Sequence, residues 1–203
     1  MAIRFCTAIT IITLCAFALV RGLGIVQFSR VKIEVGSGEN GAERMQSWAT
    51  VTGLGAAALQ SQLVPSIDPS DLKAANSRRE TLAAILSIKP MASNDWLGLS
   101  GMQLMTDQPM EQVLGSLMLS MLTGPNEGYT MTERAMFGIS LWEDLTPDLR
   151  RHVINDLAAG EIPESVKIRA VFAGKSSAVR DELRTSLLAT GLSLKQVDRR
   201  LGL

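Results

Sequence analysis

LTGPNEGYTMTERAMFGISLWEDLTPDLRRH, residues 122–152, sets a Gly-Pro-Asn-Glu-Gly loop between two apolar patterns and then starts a third pattern at Thr-Pro-Asp. Gly124 stands where a helix is expected to close in the left-handed region, and Pro125 cannot continue that helix. Asn126 suits a turn closed by its own side chain, and Glu127 puts negative charge ahead of the next helix. Thr130 or Thr132 with Glu133 offers a cap. Thr146, Pro147 and Asp148 supply a further cap with proline in the first turn. A phosphate-cradling loop would need more glycines and usually a lysine, and none stands near. The loop is expected to be a turn between helices, with a turn that also lines a binding groove as the lesser alternative.

The same punctuation recurs on both sides. Pro109 opens a helix carrying Met110, Val113, Leu114, Leu117, Met118 and Met121. Ser93 opens one with Trp96, Leu97, Leu99, Met102, Leu104 and Met105. Before these, Leu72, Ala75, Leu82, Ile85 and Leu86 run from an Asp68-Pro69-Ser70 cap to Pro90. Trp48, Val51, Ala58, Leu59 and Leu63 outline another helix, ended by Pro65. After the loop, helices are expected from Tyr129 to Trp142, over Leu149 to Leu157, and from near Pro163, Ser177 and Ser193. All of these repeat at helical spacing, and no stretch alternates as a strand does. Short connections between helices of three or four turns predict antiparallel hairpins stacked side by side, an all-α fold. Between Pro90 and Pro125, Trp96 and Leu99 followed by a second helix and a closing proline resemble a tetratricopeptide unit. Ser100 and Gln103 depart from that pattern.

Charge and composition exclude several functions. Lysine plus arginine and aspartate plus glutamate both number 20. Residues 1–29 hold Arg4 and Arg21 without an acid, which leaves 18 basic against 20 acidic residues beyond them. That is no field for nucleic acid. Aromatic residues make up 4%, too few for stacking platforms. Cys6 and Cys15 both lie in the N-terminal apolar run, so the body holds no disulfide framework, cysteine nucleophile or cysteine zinc site.

Residues 3–20 are apolar enough, if Arg4 and Arg21 snorkel to the two interfaces, to span a bilayer as a single helix. Ala16-Phe17-Ala18 offers a rival cleavage pattern, and a lipoprotein signal is weaker because Leu14 precedes Cys15. The expected organisation is an N-terminal anchor at residues 1–28 contacting membrane lipid, a flexible linker at 29–44, and a helical-hairpin domain at 45–203. The expected orientation, taken from signal-anchor proteins, puts the short N-terminal tail inside and the domain outside the membrane.

Candidate chemistry is sparse. Eight of the ten methionines fall between Met91 and Met136. Their helical spacing suits packing, or an adaptable partner groove, better than Cu(I) ligation. His152 lacks a nucleophile motif and is expected at the surface. Glu143, Asp144 and Asp148 are expected to cap helices and pair with Arg150 and Arg151. Trp96 and Trp142 are expected as core anchors. No catalytic residue, cofactor or metal is expected. If stacked hairpins offer a concave face, its polar positions are Asn94, Gln103 and Asp107, between an inward Trp96, Leu99 and Met102. Beyond the loop, Thr132, Glu133 and Ser140 join them as expected partner-binding residues.

Pro90 with Trp96 and Leu97, Gly124-Pro125, and Leu141-Trp142 with Leu145 and Arg150 carry a family resemblance. The chain resembles degenerate tetratricopeptide-like proteins that accompany bacterial O-antigen and exopolysaccharide polymerase and export systems. The likeness covers about 65 residues. It implies helical hairpins, no catalysis and a protein partner in envelope-polysaccharide assembly. The alternative expectation is a small structural subunit of another integral-membrane complex, docked through its N-terminal helix.

Overall fold

The structure is a computed structural model that describes residues 70–203 and, ahead of them, Leu59, Gln60, Leu63 and Asp68. The described residues are all-helical, with eight bounded α-helices and no strand among them. No helix among them is long and apolar enough to cross a membrane. The expected span at 3–20, the linker and most of the Trp48 helix lie outside the described residues.

The first of the bounded helices, α1 (Leu72–Ile88), is divided between two compact units. Pro69–Arg79 group with Pro90–Leu203, and Glu80–Lys89 do not. Its cap is Asp71, whose Oδ1 accepts from the Ala74 amide at 2.9 Å. The expected cap at Asp68 is thus corrected by one helical turn. Leu72, expected on the apolar face, is exposed.

In the second unit α2 (Ser93–Met105) and α3 (Met110–Thr123) form a hairpin. Asp107 takes a positive φ of 53° in the connection, and the Gln108 amide reaches back to the Gln103 carbonyl at 2.9 Å. Ser100 Oγ donates to the Val113 carbonyl at 2.7 Å, which bonds the two helices across the hairpin. Next, α4 (Gly128–Ser140) packs along α5 (Pro147–Ala159). Gly138 permits their close approach, because a Cβ there would overlap the methyls of Val153. The helix expected to reach Trp142 ends at Ser140 instead. Trp142 sits on a separate 3-10 turn, Trp142–Asp144, with only 1% of its surface exposed.

Three further helices complete the unit: α6 (Ser165–Ala173), α7 (Ser177–Ala189) and α8 (Leu194–Leu201). Thr146 caps α5 and Ser176 caps α7, each side chain accepting from the amide three residues on. Ser193 and Gln196 form a reciprocal capping box on α8. α6 packs against α4 and α8, and α7 against α5 and α8.

One apolar cluster runs through the unit from Val113 and Leu117 through Ile139, Trp142, Val153 and Leu157 to Leu183, Leu187 and Leu201. Met121, Met131 and Met136 are buried, and Met110 and Met118 pack against the cluster. Most of the methionine run therefore serves packing, while Met91 is exposed. Val166 and Leu194 also face solvent.

Candidate interaction site

The Gly-Pro-Asn-Glu-Gly loop is organised by a residue outside it. Arg134 on α4 is wholly buried. Its Nε and Nη2 grip the Asp156 carboxylate on α5 at 2.8 and 3.2 Å. Its Nη1 reaches Ser93 Oγ at 3.1 Å and the carbonyls of Ser120 and Gly124 at 2.8 and 2.9 Å. Carbonyls at a helix C-terminus lack partners within the helix, and a guanidinium brings five donors in a fixed fork. Arg134 thus satisfies the end of α3 from a neighbouring helix. Ser120 Oγ donates to the Ser93 carbonyl at 2.8 Å and ties in the start of α2. Burial pushes the Asp156 carboxyl above its ordinary value, and the hydrogen bonds and charge of Arg134 oppose that shift.

Gly124 does not take the expected left-handed conformation; its φ and ψ are −141° and 65°. Glycine is required there by proximity. A Cβ would sit 2.5 Å from the Cβ of Ser93 and 2.8 Å from Cδ of Glu127. The expected threonine cap is also corrected. Glu127 occupies the N-cap of α4 without a side-chain cap bond, and Thr130 and Thr132 are buried inside the helix. Thr132 Oγ1 donates to the carbonyl of Glu161 at 2.6 Å, so it is unavailable to a groove.

The other five expected partner-binding residues are reachable to different degrees. Asn94, Asp107 and Ser140 are exposed; Gln103 and Glu133 are half-buried. The Ser140 carbonyl accepts from Lys175 Nζ at 2.7 Å, and the same ammonium meets Glu143 at 2.7 Å. Lys175 thereby holds the Glu143 carboxyl below its ordinary value. Leu99 is buried, but Trp96 and Met102 are only half-buried. Trp96 Nε1 donates to the Pro90 carbonyl at 2.8 Å, so of the two expected tryptophan anchors only Trp142 is a full core residue. His152 is half-buried on α5.

A second arginine site went unforeseen. An open cavity of about 410 Å³ lies between α5 and α7, lined in part by Trp142, Arg150, Arg151, Asn155, Glu182 and Thr190. Asp148 pairs with Arg151 as expected, at 3.0 Å. Arg150 turns instead to Glu182 on α7, at 3.2 Å, and its guanidinium carbon lies 5.3 Å from the centre of the Trp142 ring. Trp142 Nε1 donates to the other oxygen of Glu182 at 3.0 Å. One carboxylate therefore fixes both the indole and the guanidinium, and the ring face adds attraction for the cation. The Arg150 Nε–H is shielded from water and has no acceptor among the described residues.

Comparison with family models, curated proteins and solved structures finds no match to this chain. The Arg134 site is closed and fully paired, so it can hold helices together but cannot receive a ligand. The α5–α7 cavity is open, carries a positioned cation and mixes apolar floor with hydroxyl and amide groups. Such a surface, with hydroxyl, amide and charged groups beside apolar side chains, can bind.

Proposed function

We propose that the chain is a membrane-anchored helical interaction protein that holds a partner protein in the bacterial envelope. On this reading residues 3–20 anchor it in the inner membrane, and the helical hairpins, tetratricopeptide-like in their stacking, stand in the periplasm. Its place would be that of a non-catalytic accessory in polysaccharide polymerisation or export, as the resemblance carried by Trp96, Gly124-Pro125 and Trp142 implies. The observation that carries the binding role is the α5–α7 cavity, in which Trp142 and Glu182 hold Arg150 ready beside an open floor. A positioned cation with mixed polar and apolar surroundings suits recognition of another surface.

The test is recovery of partners by the full chain from envelope membranes, together with the length distribution of surface polysaccharide in cells that lack it. Enrichment of a polymerase or export component and a shifted length distribution are expected. His152→Ala should change neither. Loss of function on His152→Ala with unchanged partner recovery would point to an active site on α5 and defeat the interaction role.

A further inference from the structure

We propose that the outer face of the α7–α8 hairpin docks on an anionic phospholipid surface. This rests on the anchored reading above and says which face the domain turns to the membrane that holds it. The chain has a formal charge of zero, yet that charge is divided along it. Residues 93–159, which carry α2 to α5, hold nine acids and three arginines, a formal −6. Residues 160–203, which carry α6 to α8, hold five acids and eight lysines and arginines, a formal +3. Phosphate headgroups attract the second segment and repel the first, so the same field that binds the domain also orients it.

Pairing within α7 and α8 leaves cations in excess. Glu182 is held by Arg150 and Trp142, and Asp198 by Arg184 at 3.4 Å. Asp181 is then the one acid of the two helices without a basic partner among the described residues, against Arg180, Lys195 and Arg199 without an acidic one. Lys195 and Arg199 are exposed, four positions apart on α8, on the side opposite the buried Val197 and Leu201. Like charges at that spacing repel and destabilise a helix, and an anionic surface would remove the cost. Burial and then the charge of Arg199 lower the Arg200 guanidinium from its ordinary value, so the repulsion reaches a third cation. Apolar side chains accompany these charges. Leu188 near the end of α7 and Leu194 at the start of α8 are 38% and 68% exposed. Leu188 follows Arg184 by one helical turn, and Leu194 adjoins Lys195. The boundary between headgroups and acyl chains accepts leucines and cations together, whereas a soluble polyanion gains nothing from leucine. The proposed anchor keeps the domain at high effective concentration beside the bilayer, so weak contacts suffice.

The full chain, in a Cys6→Ser, Cys15→Ser background, is reconstituted into vesicles of phosphatidylcholine alone or of phosphatidylcholine and phosphatidylglycerol in equal parts. A fluorophore is attached at Thr185→Cys, exposed on α7 next to Arg184, or at Gln112→Cys, exposed on α3, as the control. Spin-labelled lipid should quench the Thr185→Cys fluorophore in the mixed vesicles but not in phosphatidylcholine, and the Gln112→Cys fluorophore in neither. Near an anionic surface each cation contributes roughly fivefold, so Lys195→Gln with Arg199→Gln should lower the docked-to-free ratio roughly 25-fold. The thermal melt of that variant should be unchanged or raised, because a repelling pair is gone. Salt at ~1 M, where the screening length is about 3 Å, should release the domain. Equal quenching in both kinds of vesicle, quenching at Gln112→Cys instead, or quenching that survives the double change would overturn the proposal. Quenching that appears only when many chains share a vesicle would assign the basic face to the acid-rich segment of a second copy, and would overturn it too. Flotation with phosphatidylcholine vesicles tests the anchor separately. A chain that floats with them, yet shows no quenching at Thr185→Cys in the mixed vesicles, defeats this proposal and leaves the anchored reading standing.

Discussion

Arg134 and Arg150 stand sixteen positions apart, each gripping a carboxylate on another helix, and they do opposite work. Arg134 lies inside the α2–α5 body with bonds to one carboxylate, one hydroxyl and two carbonyls. Arg150 lies at the α5–α7 surface, a third exposed, with one carboxylate, one ring and an unmet Nε–H. The difference is the supply of acceptors. A C-terminal helix end delivers several carbonyls to one point, so a cation there can be buried and fully paired. A cleft between helix sides delivers none from the backbone, because those carbonyls are spent within the helices.

The largest expected effect tests the closed site. Asp156→Ala leaves Arg134 buried without its counter-charge, and urea unfolding should show a loss of about 3–5 kcal/mol. A loss under 1 kcal/mol would mean that the carbonyls of α3 suffice, and the two arginines would then differ less than their surroundings suggest.

Gly124→Ala comes next. Its Cβ would press on Ser93 and Glu127, and the cost should be about 1–3 kcal/mol by the same measurement. Because the backbone at Gly124 is not left-handed, Gly124→Ala in a Glu127→Ala background should recover part of that loss. An unchanged cost would locate the demand for glycine in the contact with Ser93 alone.

At the open site the effects on stability should be small. Glu182→Gln weakens the hold on Arg150 across a half-exposed pair, and should cost at most about 1 kcal/mol. Its larger consequence should be a mobile Arg150, read as a change in Trp142 emission. A stability loss as large as that of Asp156→Ala would show that the α5–α7 contact is structural rather than a binding surface.

The smallest effect is a pH dependence. Lys175 depresses the carboxyl of Glu143, so this pair contributes stability above the ordinary glutamate value. That contribution is lost as pH falls through the depressed folded value. Glu143→Gln should slightly lower the melting temperature near neutral pH and match the parent chain in strong acid. An equal difference at both ends would assign the effect to hydrogen bonding, not charge.

Helix positions follow from the amino-acid sequence because caps, prolines and apolar spacing act within a few residues. Ser93, Pro109, Thr146 and Ser193 each stand at or immediately beside the start of the helix expected there. The inward set Leu82, Ile85, Val113 and Leu117 was equally legible from its period. The turn at residues 124–128 was legible as a turn, but its cause was not. Gly124 answers to Ser93, thirty-one positions earlier, and no local pattern encodes that distance. Arg134 gave one signal, a charge among Met131, Ala135 and Ile139, all of them buried. Its partner Asp156 could not be paired from spacing, since any acid on a facing helix would serve equally. The same holds for Arg150, which had Asp148 nearby in sequence yet took Glu182 across the α5–α7 cleft. Local backbone chemistry sets where helices begin and end. Which charges are buried, paired or left open depends on how those helices meet, and that is fixed by packing between residues far apart in the chain.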